Sequence, residues 1–337
     1  MANVRIIAKR AGVSAATVSR VLNNHPMVSK DVRERVVAAS NEAGYVANVG
    51  RKSTSNIAFV HTGESSLGSP FDAALMYGMS CGMEEHGYDL LILDARRARL
   101  PGETYTQMFL RKGVRGAVLR TTLATRTVCE AIAEEGFPAV VVADRFENPK
   151  VNYIYACSRD SSREAVEHLI HLGHRRIAIC INIVDDSDHA DRVAGYTQAL
   201  QDAGIEFDPK LVLRVPAHRE PGAQALRRLR TLPDAPTAVF MTDAAAVVGL
   251  LSEARRTGVR VPEDLSIVGF DDTQMRYGLT PELTAVCQDA EALGREAFAA
   301  CHLLATSAGD MPVVQKAMRT WLEVHGSTAP PGAGSTN

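Results

Sequence analysis

Two sets of residues in this 337-residue chain are of types that hold a ligand rather than build a core. The first set is compact: Ser14, Ala15, Ala16, Thr17, Ser19 and Arg20, with Asn23 just beyond, in the run SAATVSRVLNN. A solvated helix face usually carries Glu and Lys; this one carries small residues, hydroxyls and one Arg. Small residues let a helix approach a DNA duplex closely, hydroxyls bond phosphates, and an arginine bridges the two acceptors of a guanine. The second set is dispersed over the rest of the chain: Phe71-Asp72, Asp144-Arg145, Asp188, Arg192, Thr242 and Asp271. A ring beside a carboxylate suits a sugar, the ring packing on its apolar face and the carboxylate accepting hydroxyl protons. Phe71 as a core staple and Asp72 as a helix cap is an equally good reading. Asp144-Arg145 reads either as a ligand pair or as an ion pair between two lobes.

The first set needs a small helical unit to present it. Val4, Ile7, Ala8 and Ala11 recur at helical spacing, and Gly12 tolerates a tight turn. Val13 can plug the gap between two helices, and Ser14 is a good N-cap for the helix that follows. In that helix Val18, Val21 and Leu22 face inward, which leaves Ala15, Ala16, Thr17, Ser19 and Arg20 outward. Asn23-Asn24-His25-Pro26 ends it. Ser29 caps a third helix with Val32, Val36, Val37 and Ala39 as its apolar stripe.

Charge separates this unit from the remainder. Residues 1–56 hold nine Lys/Arg against three Asp/Glu, a net +6, whereas the remainder holds 28 against 36, a net −8. The asymmetry describes a phosphate-binding arm on a body that does not bind phosphate. Composition, at 46% apolar and 23% charged, is that of a globular chain, and the length fits two or three domains. No apolar run reaches membrane-spanning length, and MANVRIIAKR does not read as a signal peptide, so a cytoplasmic location is expected. The six cysteines (81, 129, 157, 180, 287, 301) are scattered and read as small buried apolar residues.

The second set needs a different scaffold. From Ile57 the chain alternates short apolar runs with helical patterns: strands at 57–61, 88–93, 116–119 and 139–142, with helices at 71–86, 104–112 and 127–135. The rhythm repeats with strands at 176–180, 212–215, 238–241 and 266–269. Helices at 163–172, 191–203, 222–230 and 244–257 alternate with these. A late helix at 293–305 and a last strand at 321–324 follow. This βα alternation predicts an α/β body of two doubly wound parallel sheets, with four to six strands in each lobe. Such lobes close on a ligand at the carboxyl ends of their strands, where the second set falls. The expected division is a helix-turn-helix headpiece at 1–44, a linker at 45–56, the two-lobed body at 57–326 and a disordered tail at 327–337. In the linker, Arg51 and Lys52 can reach phosphates.

Other constellations carry less. Asp185-Asp-Ser-Asp-His-Ala-Asp191 lacks the calcium loop's spacing and closing Glu, and reads as a solvated cleft-rim loop that can offer Asp188 or His189 to a ligand. His168, His171 and His174 are three apart, but His174 lies past Gly173, beyond the helix end, and the set reads as structural. There is no nucleophile elbow, phosphate loop or G-x-G-x-x-G, so neither an enzyme, a metal nor a cofactor is expected.

AKRAGVSAATVSRVLNN, then VSKDVRERV and AGYVAN, resembles the headpiece of the LacI/GalR (lactose/galactose repressor) family. The body resembles the sugar-binding core of the same family in GHRRI at 173–177, RVAGY at 192–196, VPEDLSIVGFDD at 261–272 and LTAVCQ at 283–288. The resemblance implies that Ala15, Ala16 and Arg20 contact bases, while Ser14, Thr17, Ser19 and Asn23 contact mostly backbone. It implies that Arg192 and Asp271 hold the effector, as does the Asp-Arg at 144–145. Thr242-Asp243 stands where the family often has Asn-Asp. Two departures are visible. Ile6 replaces the usual acid before the first helix, and the linker is short and lacks the leucine that the family wedges into the minor groove. The implied function is a homodimeric repressor on a palindromic operator, controlled by a sugar-like small molecule between the lobes. It would work in the bacterial cytoplasm, at the nucleoid when bound to DNA. A sugar-binding transport protein would need a signal peptide and no basic headpiece; an enzyme on the same fold would need a nucleophile or cofactor motif.

Overall fold

The computed structural model describes residues 4–22, 28–42, 55–63, 68–307 and 312–332. Asn23, Arg51 and Lys52 lie outside these residues, as does most of the linker.

The headpiece comprises α1 (Val4–Ala11), α2 (Ala15–Leu22) and α3 (Lys30–Glu42). Ile7, Ala8 and Ala11, Val18 and Val21, and Val36 and Ala39 are buried against one another, with Val4, Val13, Val28 and Val32 around them. Gly12 adopts φ +63°, the left-handed geometry of the turn between α1 and α2. Val13 N then donates to the Ala8 carbonyl at 3.0 Å. Ser14 Oγ accepts from Thr17 N at 3.0 Å, a cap that contributes about 1 kcal/mol. With Val18 and Val21 held inside, Ser14, Ala15, Ala16, Ser19 and Arg20 are exposed.

The body has two lobes. Lobe 1 starts with β1 (Asn56–His61), α4 (Pro70–His86), β2 (Asp89–Asp94), α5 (Ala95–Ala98) and α6 (Tyr105–Arg111). It continues with β3 (Val114–Arg120), α7 (Arg126–Glu134), β4 (Ala139–Val142) and β5 (Tyr153–Cys157). Lobe 2 follows with α8 (Arg159–His171), β6 (Ile177–Asn182), α9 (Ser187–Asp202), β7 (Val212–Val215) and α10 (Arg219–Arg230). Then come β8 (Ala238–Met241), α11 (Ala244–Thr257), β9 (Ser266–Asp271) and β10 (Thr284–Cys287). The chain returns to lobe 1 as α12 (Ala290–Thr306) and β11 (Gln315–Arg319), and crosses back as β12 (Trp321–Glu323). The sheet orders are β11-β5-β4-β3-β1-β2 and β12-β10-β9-β8-β6-β7, six strands each. All pairings are parallel except β10 with β12. Three chain crossings therefore join the lobes, after β5, β10 and β11. Two are tied together: Thr320 Oγ1 donates to the Cys157 carbonyl at 2.7 Å and lies 2.6 Å from Ser161 Oγ.

Pure-apolar strands and capped helices fall where the sequence predicts them. The left-handed Gly87 ends α4, and the reciprocal Thr104–Gln107 capping box starts α6. α12 crosses α4 at backbone distance: a Cβ on Gly78 would sit 2.0 Å from the Glu291 carbonyl oxygen. Among the described residues no helix is long and apolar enough to cross a membrane.

The predicted disordered tail is corrected over its first six residues. Ser327 is fully buried, donates to the Ile267 carbonyl at 2.6 Å and accepts from Thr284 N at 2.8 Å. Ala329 N donates to Ser266 Oγ at 3.0 Å, and the Ala329 carbonyl sits 2.9 Å from His174 Nε2. The buried polar groups of β9 and β10 take partners from this segment, so its Pro and Gly content does not set it free. His168 Nε2 meets Thr328 Oγ1 at 2.9 Å, which gives two of the three spaced histidines a structural partner in the same segment.

Candidate functional site

A cavity of about 240 Å³ lies between the lobes, at the carboxyl ends of both sheets. That is below the roughly 300–1,000 Å³ of sites for drug-sized ligands and suits a small, single-ring molecule. Lobe 1 contributes His61 from the end of β1, Phe71 and Asp72 from the first turn of α4, and Arg120 from the end of β3. Ser69 Oγ accepts from Asp72 N at 3.3 Å, so Ser69 caps α4 and leaves the Asp72 carboxylate for other partners. Arg120 Nε donates to Asp72 Oδ1 at 2.9 Å, and its guanidinium lies over the Phe71 ring, 4.9 Å from the centroid. His61 Nε2 is 3.9 Å from Asp72 Oδ2. Burial lowers the His61 pKa against the pull of Asp72, so the imidazole is neutral at pH 7.

Lobe 2 contributes the first turns of α9. Asp186 caps that helix, accepting from His189 N at 2.8 Å and pairing with His189 Nδ1 at 2.7 Å. Burial alone would raise the Asp186 carboxyl, but the His189 contacts outweigh it and hold the group at about 2. Burial opposes the charge on His189, yet Asp186, helped by Asp243 at 3.5 Å, lifts the imidazole to about 9. The pair is thus a carboxylate and an imidazolium. One turn on, Asp188 and Arg192 face each other at 4.0 Å. Arg192 lies flat on Phe270, 3.5 Å from the ring centroid, and its Nη1 donates to the Thr242 carbonyl at 2.7 Å. Its Nε has no partner, nor does Asp188 Oδ1, although both side chains are only 5% exposed. Burial pushes the Asp188 carboxyl up to about 7, with Arg192 opposing the rise. Asp243, Asp272, Asn182, His218 and Gln288 complete the wall.

Of the eight residues predicted for this site, Phe71, Asp72, Asp188 and Arg192 line the cavity. The other four are placed elsewhere. Asp271, the last residue of β9, turns away: Oδ1 accepts from Thr273 N and Met275 N, and Oδ2 from Arg276 N and Nη1, all within 3.1 Å. Asp272, the first residue past the strand, is the one that reaches the cavity. Just past β8, Asp243 at the start of α11 is on the wall and Thr242 is not; Thr242 Oγ1 donates to the Cys180 carbonyl at 3.1 Å. Asp144 and Arg145 bridge the lobes beside the cavity. Asp144 accepts from Ser187 Oγ of lobe 2 and from Arg126 Nη1 at 2.9 Å. Arg145 makes a two-pronged contact with Asp191, its Nη2 donating to Oδ1 at 2.8 Å. Leu123 N adds a donation to the Asp185 carbonyl across the gap at 2.9 Å.

Sequence reasoning passed over Arg120, Asp186, Asp243 and Asp272 as wall residues. Arg120 and Asp272 carried the same signal as those chosen, a charged residue at the end of an apolar strand. The acidic loop at 185–191 is accounted for acid by acid: Asp185 pairs with Arg214 at 2.7 Å, Asp186 with His189, Asp188 with Arg192 and Asp191 with Arg145.

A basic three-helix unit that exposes small residues, hydroxyls and an arginine, joined to a body of two lobes with a cavity between them, is the architecture of a DNA-binding regulator. Comparison with known proteins identifies the group. Residues 5–48 match the bacterial regulatory proteins of the lacI family, and residues 166–328 match the periplasmic binding protein-like domain. The chain is 34% identical over 307 residues to the HTH-type transcriptional repressor CytR of Escherichia coli strain K12, covering 88% of each protein. It superposes on the transcriptional regulator CelR–cellobiose complex with a TM-score of 0.69 at 29% identity, covering 97% of this chain and all of that one. The lac repressor dimer bound to operator and the anti-inducer ONPF gives a TM-score of 0.69 at 25% identity, over 97% and 99% of the two chains. The chain belongs to the LacI family of bacterial transcriptional regulators and is a DNA-binding regulator rather than an enzyme.

Proposed function

We propose that this protein represses transcription as a homodimer on a palindromic operator, and that a small sugar-like polyol held between its lobes controls operator affinity. The DNA face of the proposal is Ser14, Ala15, Ala16, Thr17, Ser19 and Arg20, with Asn23, Arg51 and Lys52 as backbone contacts. Its support is the exposure of Ser14, Ala15, Ala16, Ser19 and Arg20 at the start and along the outer face of a helix whose opposite side is fixed by Val18 and Val21. A two-fold operator calls for a two-fold protein, and the lac repressor complex similar to this chain is a dimer on its operator.

The observation that carries the effector half is the arrangement of Asp72–Arg120 on one lobe opposite Asp188 and Arg192 on the other, around a cavity with unpartnered buried polar atoms on both walls. Hydroxyl groups both donate and accept, and so satisfy carboxylates and guanidinium groups together. The similar regulator CelR is in complex with cellobiose, a sugar. A ligand that prefers one degree of closure shifts the lobes through Ser187–Asp144 and Arg145–Asp191, and the three crossings carry that shift to the headpieces. The test is a thermal-shift screen of the full chain against sugars, followed by gel shifts on an operator with and without each hit. A sugar that raises the melting temperature and changes operator affinity supports the reading; a hit that leaves operator affinity unchanged refutes it.

A further inference from the structure

We propose that the effector carries a protonated amino group among its hydroxyls, received by Asp188, Asp243 and Asp272 on the lobe 2 wall. This rests on the reading of the cavity as the effector site. The two walls differ in charge. On lobe 1 Arg120 and Asp72 neutralise one another at 2.9 Å, and His61 beside them is neutral. On lobe 2 Asp186 is matched by His189. That leaves Asp188, Asp243 and Asp272 facing the single guanidinium of Arg192, with His218 the remaining ionisable side chain of the wall. Among the described residues of the lining, five carboxylates face three cations, Arg120, Arg192 and the His189 imidazolium, and none is a lysine.

The excess carboxylates are poorly satisfied by the protein. Asp188 is 5% exposed, its Oδ1 accepts no hydrogen bond, and its other oxygen is 4.0 Å from Arg192. Arg192 cannot turn to it, because its Nη1 is held by the Thr242 carbonyl and its plane by Phe270. Asp243 receives only a 3.4 Å contact from Asn182, a 3.4 Å contact from Thr242 and the distant His189 Nε2. Asp272 has one oxygen on Gln288.

Holding unmatched carboxylates partly out of water between two lobes is costly, and either protons or a bound cation compensates them. Burial pushes Asp188 up to about 7 and raises Asp272, so both carboxylates hold their charge at a cost when no ligand is present. An ammonium group relieves that cost. It brings three donors and a full charge to carboxylates whose acceptor sites are open. Neutral sugars bring donors without charge, and a sugar phosphate adds negative charge to a wall already in excess. The class of effector is therefore an amino sugar or aminocyclitol, with its hydroxyls toward Asp72, Arg120 and Arg192.

The test is isothermal titration calorimetry of the full chain at pH 7 with amine and hydroxyl counterparts: glucosamine against glucose, galactosamine against galactose, mannosamine against mannose, and scyllo-inosamine against scyllo-inositol. N-acetylglucosamine and glucosamine 6-phosphate complete the panel. At least one amine binds tenfold or more tightly than its counterpart, and acetylation or phosphorylation removes the advantage. Asp272→Asn and Asp243→Asn each bring that ratio toward one, so either variant serves if the other fails to fold. Equal or tighter binding of the hydroxyl or phosphate forms overturns the inference and leaves the cavity reading intact. Failure of every compound, with operator binding by gel shift preserved, overturns both.

Discussion

Replacing Arg192 by Ala tests the centre of the site. The wild-type guanidinium is desolvated on Phe270 at 3.5 Å, a stacking worth about 2 kcal/mol in such a setting. Its donation to the Thr242 carbonyl at 2.7 Å adds about 1.5–3 kcal/mol, the range for a hydrogen bond from a charged group. Against these gains stands the desolvation of the guanidinium itself, which the substitution relieves. Asp188 does not add a large penalty, because a carboxyl already pushed up to about 7 by burial takes up a proton when its cation is removed. A net loss on the order of 2 kcal/mol follows, which lowers the melting temperature by about 4–8 °C for a body of this size. The functional loss is larger. The variant binds operator like the wild type, because Arg192 lies in the body, but no longer responds to an effector. Calorimetry with a hit from the sugar screen, gel shifts with and without it, and a melting curve are sufficient. Retained effector affinity refutes the placement of Arg192 at the ligand. An unchanged melting temperature refutes the stacking argument. Adding Asp188→Asn should recover part of the lost stability, since the two groups face each other and their effects are not additive.

Arg20→Ala should weaken operator binding by about 1–3 kcal/mol and relax base choice at one position of each half-site, because Arg20 is the single long donor on the exposed face of α2; a gel-shift series with unchanged sequence preference sinks this. Gly78→Ala should lose about 1–3 kcal/mol in a urea titration, since the new Cβ would sit 2.0 Å from the Glu291 carbonyl oxygen and must force α4 and α12 apart; an unchanged midpoint contradicts the close crossing. Asp188 also gives a pH signature. Its folded value of about 7 lies above the ordinary carboxylate range, so the unfolded chain releases this proton first and the contribution of this group to stability falls from about pH 4 up to pH 7. His189, raised to about 9, contributes stability that is complete below its ordinary value of 6.5 and is lost as pH rises toward 9. Asp188→Asn should reduce the first loss, leaving the part due to Asp144 and Asp272, and keep the second; identical pH profiles for wild type and variant rule out the buried acid.

The parts of this structure that were legible in the sequence are those whose physics is local. The headpiece follows from apolar spacing, one glycine and one capping serine, all within a few residues of each other. The two sheets follow from short apolar runs separated by capped helices. β11, Gln315–Arg319, was not legible because it is an edge strand whose side chains are largely exposed, so it has no apolar alternation to announce it. The tail misled because its proline and glycine were read as disorder, whereas Ser327 and Ala329 supply partners that β9 and β10 lack. At the site, the error has a consistent form. Asp271 and Thr242 were each chosen one residue too early, and Asp272 and Asp243 are the ones on the wall. Apolar pattern gives a strand's end to within a residue, but a shift of one residue changes which side chain faces the ligand. Only the register in three dimensions corrects it, and the correction changes the chemistry. A wall of Thr242 and Asp271 would carry one acid, whereas the wall of Asp243 and Asp272 carries two. That second carboxylate, added to Asp188, is what gives the proposed effector site its unmatched negative charge and a reason to select a cation.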